Sequence, residues 1–203
     1  MPTDASKRWE EMLTPEIVRV KFIAVGLLAV AYEMLEDTIV GRVRDFFSTG
    51  FDAKGFTYSP DYATRVLALD PKGKGDALRS SLVWLRQVEA ITEEDHTRFL
   101  AIKNARNEVA HELTSILTGE RTFNFNDHFQ SALALLSKIE RWWIVNVEIA
   151  TDPDLVDKEI DEDGILPGRI LTMQILVNVA LGNDKETNAF LEAFRRAQAK
   201  EKC

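Results

Sequence analysis

The sequence predicts an all-α protein, an up-and-down helical bundle with two additional C-terminal helices. Three observations lead there. Apolar residues recur at helical spacing along most of the 203 positions, and no strict period-two alternation is long enough to specify a strand. Chain breakers are gathered rather than scattered: Gly50, Gly55, Pro60, Pro71, Gly73 and Gly75 in one stretch, then Gly119, Pro167 and Gly182. Residues suited to capping stand at the edges of the periodic segments.

The elements follow in order. Residues 1–14 read as a polar leader. Pro15, well placed in a first helical turn, opens a long helix over about 15–47. Its segment Phe22–Ala31 is apolar nearly all round, which predicts a central helix packed on several sides, with a close neighbour compensating for Gly26. The breaker-rich stretch 48–75 reads as a loop carrying a short helix near 60–69. A second long helix is predicted over 76–91. Thr92-Glu93-Glu94-Asp95 is close to a capping box, with Asp in place of the usual Glu or Gln, and starts a helix running to about Leu117 before Gly119. Asn126 is the expected cap of a helix over 127–150. An acidic loop, 151–167, separates this 15–150 bundle from a helical pair over 168–203, expected to pack on it as helices near 168–181 and 184–200. No internal repeat is visible.

Composition narrows the function classes. Apolar residues at 45% and charged residues at 29% are enough for a packed core. The lone cysteine, Cys203, leaves no disulfide framework or multi-cysteine metal site, which points to a reducing, cytoplasmic setting. Charged residues precede the first apolar run, so no signal peptide is expected. The run Phe22–Tyr32 is too short for the roughly 20 residues that span a bilayer. Seven acids and one lysine between 151 and 166 carry −6 of the net −8, leaving only −2 for all the rest. The acidity is therefore local, and argues only weakly against nucleic acid as a partner.

The chemistry-bearing motif lies on the predicted 92–117 helix, as Arg106-Asn107-x-x-x-His111. Phe99, Ile102, Val109, Leu113 and Ile116 share one stripe of that helix, and His111 lies opposite it with Lys103, Asn107 and Thr114. Arg106 and His111 are five residues apart, so about 140° separates them on an ideal helix. A kink, or a second copy of the helix across a twofold axis, is required to bring both to one ligand.

This pattern resembles the HEPN superfamily, whose signature is an Arg, four to six residues, then a His, often with a polar residue after the Arg. Arg106, Asn107 and His111 match it. The stretch from Gly75-Asp76-Ala77-Leu78-Arg79 to Gly119 is similar to the helix pair of the mannitol operon repressor family, and Ala31-Tyr32-Glu33-Met34-Leu35-Glu36 is similar in placement. The resemblance covers about residues 17–150. Arg121 and His128 also satisfy the loose spacing, but straddle an expected loop and cap.

The resemblance implies two alternatives. The first is a metal-independent endoribonuclease of defence or toxin–antitoxin type, in which the RNA 2′-hydroxyl attacks its own phosphate. His111 would exchange the proton, Arg106 would bind the phosphate, and Asn107 would orient the imidazole or bind phosphate. The 5′-hydroxyl would leave a 2′,3′-cyclic phosphate. The second is a non-catalytic helical dimer regulating transcription or a protein partner, as in the mannitol repressor branch. Both imply a homodimer across the Asn107/His111 face. RNA, a protein partner or an antitoxin are the expected ligands. No cofactor, metal or membrane is expected.

Other candidates read as structural. His96, His111 and His128 lack the spacing of a helical metal site. Trp142 and Trp143 point about 100° apart, so at least one belongs to the core or to an interface. Of Glu33, Glu36 and Asp37, only Glu33 and Asp37 share a face, which favours solvated or arginine-paired roles. No phosphate loop, nucleophile elbow or dinucleotide fingerprint is present. The basic groups Arg195, Arg196, Lys200 and Lys202 read as a solvated helix end.

Overall fold

A computed structural model describes residues 4–53, 55–155 and 158–182, with 191, 192, 195 and 196. Six α-helices are ordered along it: α1 Asp4–Leu13, α2 Pro15–Phe46, α3 Ala77–Gln87, α4 Glu93–Leu117, α5 Phe125–Trp143 and α6 Gly168–Leu181. The predicted all-α helical bundle is the observed fold. The expected final helix over 184–200 lies almost wholly outside the described residues.

The long helix forms as its sequence dictates. Pro15 occupies the first turn of α2, where its missing N–H costs no hydrogen bond. Its C-terminal half supplies Ala31, Tyr32, Leu35, Ile39 and Val43 to the main core. There they meet Leu82 and Leu85 of α3, Phe99 and Ile102 of α4, Leu135, Leu136 and Ile139 of α5, and Met173 of α6. Its N-terminal half behaves otherwise. Val20 is 55% exposed and Phe22 54%, and a side chain built on Gly26 would meet nothing within 4 Å. The expectation that Phe22–Ala31 is packed on several sides is therefore corrected. Only Leu28 and Ala31 of that run are buried.

Other differences have local causes. The leader is helical: Ala5, Trp9, Met12 and Leu13 fall at helical spacing, although Trp9 and Leu13 stay exposed. Two short strands pair antiparallel, β1 Ser48–Asp52 with β2 Gly55–Tyr58. Most of their side chains are exposed or half-exposed on both faces, so no in–out alternation existed to be read. Phe51 and Phe56 pair across them, ring centroids 5.3 Å apart. The short helix is a π turn, Tyr62–Val66, continued by a 3₁₀ turn, Leu67–Leu69. Helix α5 is capped by Asn124, two residues earlier than predicted: its side chain accepts from the Asp127 N–H at 3.2 Å. The same helix stops at Trp143 and relaxes into a π turn, Ile144–Ile149.

Polar groups fix how the helices are rotated. Glu140 of α5 is 1% exposed and accepts from Thr38 at 2.7 Å and Arg42 at 2.7 Å. Arg169, in the first turn of α6, lies 3.1 Å from the same carboxylate. Asp70, whose side chain is buried, accepts both arms of Arg79 and the N–H groups of Lys72, Lys74 and Asp76. Those donors, Arg79 foremost, hold its carboxyl well below the ordinary range. Burial pulls Asp95 upward, but Lys138 and Thr92 outweigh it and leave its pKa lowered.

Two measurements check this. Glu140→Ala leaves two guanidiniums without their buried partner, and its expected cost is about 3–5 kcal/mol in urea denaturation. Asp70 and Asp95 carry lowered pKa values, so their contribution is complete above about pH 5, where the unfolded carboxyls are ionised, and is lost as pH falls further. Wild type is therefore expected to lose stability between roughly pH 5 and pH 2, where carboxylates titrate, with a shallower fall in Asp70→Asn and Asp95→Asn.

Candidate functional site

The site is built on α4, whose start is set by a reciprocal cap. Thr92 Oγ1 accepts from the Asp95 N–H at 3.2 Å, and Asp95 Oδ2 accepts from the Thr92 N–H at 2.9 Å. Phe99, Ile102, Ala105, Val109 and Ile116 are buried along the inner face, with Leu113 half-buried beside them. The helix therefore cannot rotate without exposing its stripe. That places Arg106 at the seam with α2 and leaves His111 on the solvent side.

Arg106 is turned toward α2. Its guanidinium lies 3.2 Å from Glu33 Oε1 and 5.3 Å from the centroid of the Tyr32 ring, a cation–π arrangement. Its other terminal nitrogen is 3.4 Å from Asn107 Oδ1, at the long end for a hydrogen bond. Tyr32 is sandwiched between this cation and the Phe99 ring, centroids 6.3 Å apart. Burial, and then its hydrogen bond with Glu36, push the Tyr32 phenol upward, so it stays protonated at neutral pH. Tyr32 is the site residue that sequence reasoning missed as a participant. Its place one position before Glu33 and four before Glu36 was the available signal.

Beside this contact runs a groove of about 260 Å³ between α2 and α4, lined by Val25, Leu28, Ala29, Arg106, Val109 and Ala110, with Leu113 at its end. His111 is exposed and does not line it. Among the described residues, the His111 side chain has no hydrogen-bond or ion-pair partner. The helix does kink, at Glu112 with φ −114° and ψ 19°. Ser115 Oγ donates to the Glu112 carbonyl there, at 2.9 Å. The break comes one residue after His111, so the angular separation of Arg106 and His111 along the helix is retained. The chain brings Arg106 and Asn107 together. It leaves His111 outside their groove.

The remaining candidates have structural surroundings. Glu108 is held by Arg121 at 2.7 Å, which ties α4 to the segment before α5. His128 lies beside the Phe123 ring at 5.2 Å. Asp37 pairs with Arg169 at 2.5 Å. Trp143 is buried in an aromatic cluster with Phe46, Trp84 and the half-buried Trp142. Among the described residues, no group of three His, Cys, Asp or Glu is placed to hold a metal ion, and no helix is long and apolar enough to cross a membrane.

Comparison with known proteins returns no match: no protein-family model fits the chain, and no curated protein or solved structure is similar to it. The functional reading therefore rests on the chain's own geometry and on the motif.

The Arg106–Glu33 pair is half-exposed, with 41% and 64% of the side chains accessible. Arg106→Ala is accordingly expected to lower stability by no more than about 1 kcal/mol, measured by urea denaturation. A larger loss would mean that the guanidinium is a structural element of the seam.

Proposed function

We propose that the chain is a HEPN-like helical protein that works as a homodimer closed over the α2–α4 face, and that it acts as a non-catalytic regulator of a protein or of transcription. The observation that carries this reading is the uncovered apolar ridge beside the Arg106 groove. Phe22, Gly26 and Val30 fall at intervals of four on α2, with Phe22 54% and Val30 38% exposed and open space over Gly26. A helix that leaves such a ridge to water loses the burial that would stabilise it, about 25 cal/mol per Å². A second copy supplies that burial through an isologous interface. Arg106 is already neutralised by Glu33 within an otherwise apolar groove, which is the environment of a seam rather than of a phosphate site.

A second reading, the metal-independent endoribonuclease, is favoured by His111 itself. It is exposed and partnerless among the described residues, as a proton-transfer group awaiting substrate requires. A twofold axis across the Asn107/His111 face would set the His111 of one protomer against the Arg106 of the other. The arginine would then exchange Glu33 for the phosphate.

Sedimentation and RNA incubation separate these readings. Wild type is expected to sediment as a dimer, and Phe22→Asp with Val30→Asp as a folded monomer; a monomeric wild type removes the proposal. RNA incubated with the protein in chelator is expected to stay intact. Cleavage to 2′,3′-cyclic phosphate ends, lost in His111→Ala and Arg106→Ala while the dimer persists, establishes the nuclease instead.

A further inference from the structure

A second feature stands apart from the α2–α4 seam. A cleft of about 300 Å³ lies between α3, the N-terminal half of α4 and the loop Pro71–Gly75. Its walls are apolar: Pro71 from the loop, Leu78, Leu82 and Val83 from α3, and Leu100 from α4. Its polar lining is basic only, from Lys72, Arg79, His96 and Lys103, and no Asp or Glu side chain is among the lining residues.

Several cations elsewhere in the chain already have carboxylate partners. Arg42, Arg86, Arg98, Arg106, Arg121, Arg169 and Lys138 are each paired with a carboxylate. Arg79 is too: Asp70 at 2.7 Å and Asp76 at 3.2 Å occupy it. His96 has Glu93 3.6 Å from Nδ1, and burial, then Arg86, lowers its pKa, so near neutral pH it is a hydrogen-bonding group rather than a charge. Lys72 and Lys103 differ. Among the described residues neither ammonium group has a hydrogen-bond or ion-pair partner, although both line the cleft.

The loop that presents Lys72 is held with unusual thoroughness. Asp70 receives the N–H groups of Lys72 at 3.1 Å, Lys74 at 2.9 Å and Asp76 at 3.1 Å. Gly73 and Gly75, at φ +63° and +65°, adopt the left-handed conformation that lets the loop fold around that carboxylate. The backbone that carries Lys72 to the rim of the cleft is thus held in place by Asp70.

We propose that this cleft binds a small organic anion with an apolar body, such as an aromatic phosphate monoester or carboxylate, its charge held between Lys72 and Lys103. The volume lies at the lower end of the roughly 300–1,000 Å³ typical of ligand pockets, which limits the body to one or two rings. The apolar walls, Phe99 among them, accept such a body. The inference is independent of the dimer, because no residue of the α2 ridge lines the cleft.

Calorimetric and ¹H–¹⁵N NMR titration of the full chain with 1-naphthyl phosphate tests it. The expected result is saturable one-to-one binding with amide shifts concentrated at Lys72, Leu78, His96, Leu100 and Lys103. The double variant Lys72→Glu/Lys103→Glu is expected to weaken binding at least about tenfold, which corresponds to 1.4 kcal/mol, while Lys72→Arg/Lys103→Arg retains it. Leu100 is 46% exposed, so Leu100→Trp can plug the mouth without disturbing the core, and is expected to abolish binding. Unaltered circular dichroism in each variant assigns the losses to the site. Absence of saturable binding overturns the proposal. So does equal affinity for 1-naphthalenemethanol, which lacks the charge, or for inorganic phosphate, which lacks the apolar body. Tighter binding of a single-stranded oligoribonucleotide, abolished by the same variants, would replace the small anion with RNA.

Discussion

The buried carboxylate of Glu140 is the contact on which the bundle's arrangement depends. It reaches Thr38 and Arg42 of α2 and Arg169 of α6 from its own position on α5, and so joins three helices at one point. Apolar packing alone sets their rotation poorly. Helix α6 is apolar on nearly every side, yet only Met173 is fully buried, so several rotations would satisfy its side chains almost equally well. Arg169 removes that freedom by also engaging Asp37 and the Met34 carbonyl, at 2.5 Å and 3.2 Å. A buried ionic contact of this kind adds little net stability over an apolar substitute. Here it supplies orientation.

That constraint gives α2 two different surroundings. Beyond Val30, the apolar face of the helix runs between α3, α4, α5 and α6 and is covered. Ahead of Ala31, Phe22 and Val30 fall with Gly26 on one side of α2 and are exposed, whereas Val20 lies on another side with Ala24 and Leu27, toward α5 and α6. Contiguous exposed apolar surface of this sort marks an interaction site far more often than a lone exposed leucine does. The Arg106 groove is continuous with it, because Val25 and Ala29 belong to the same helix. Arg106 and the unsatisfied apolar surface are therefore one region of the molecule, and His111 lies outside it.

Helix α4 divides its duties along its length. Near its start, Leu100 and Lys103 face the α3 cleft and the rigid Pro71–Gly75 loop. Further on, Arg106, Val109 and Ala110 face α2. Both arrangements follow from one buried stripe, since a helix held by Phe99, Ile102, Val109 and Ile116 has no freedom to redistribute its other residues. The kink at Glu112 redirects only the turns beyond His111.

What the sequence determined by itself was local: the helical class, the start of α4 at Thr92, the stop before Gly119, and the stripe from Phe99 to Ile116. Each depends on residues within a few positions of one another, so periodicity and capping chemistry suffice. The Phe51–Phe56 strand pair was illegible because a ribbon exposed on both faces leaves no alternation. The candidate site was legible as residue types, Arg106, Asn107 and His111, and the angle between the first and last followed from helix geometry. Only the tertiary structure decided that Arg106 is given to Glu33 and Tyr32, that Lys72 and Lys103 flank one cleft, and that Phe22 is uncovered. Those outcomes depend on which distant segment lies alongside, and an apolar run carries no mark of whether its own chain will cover it.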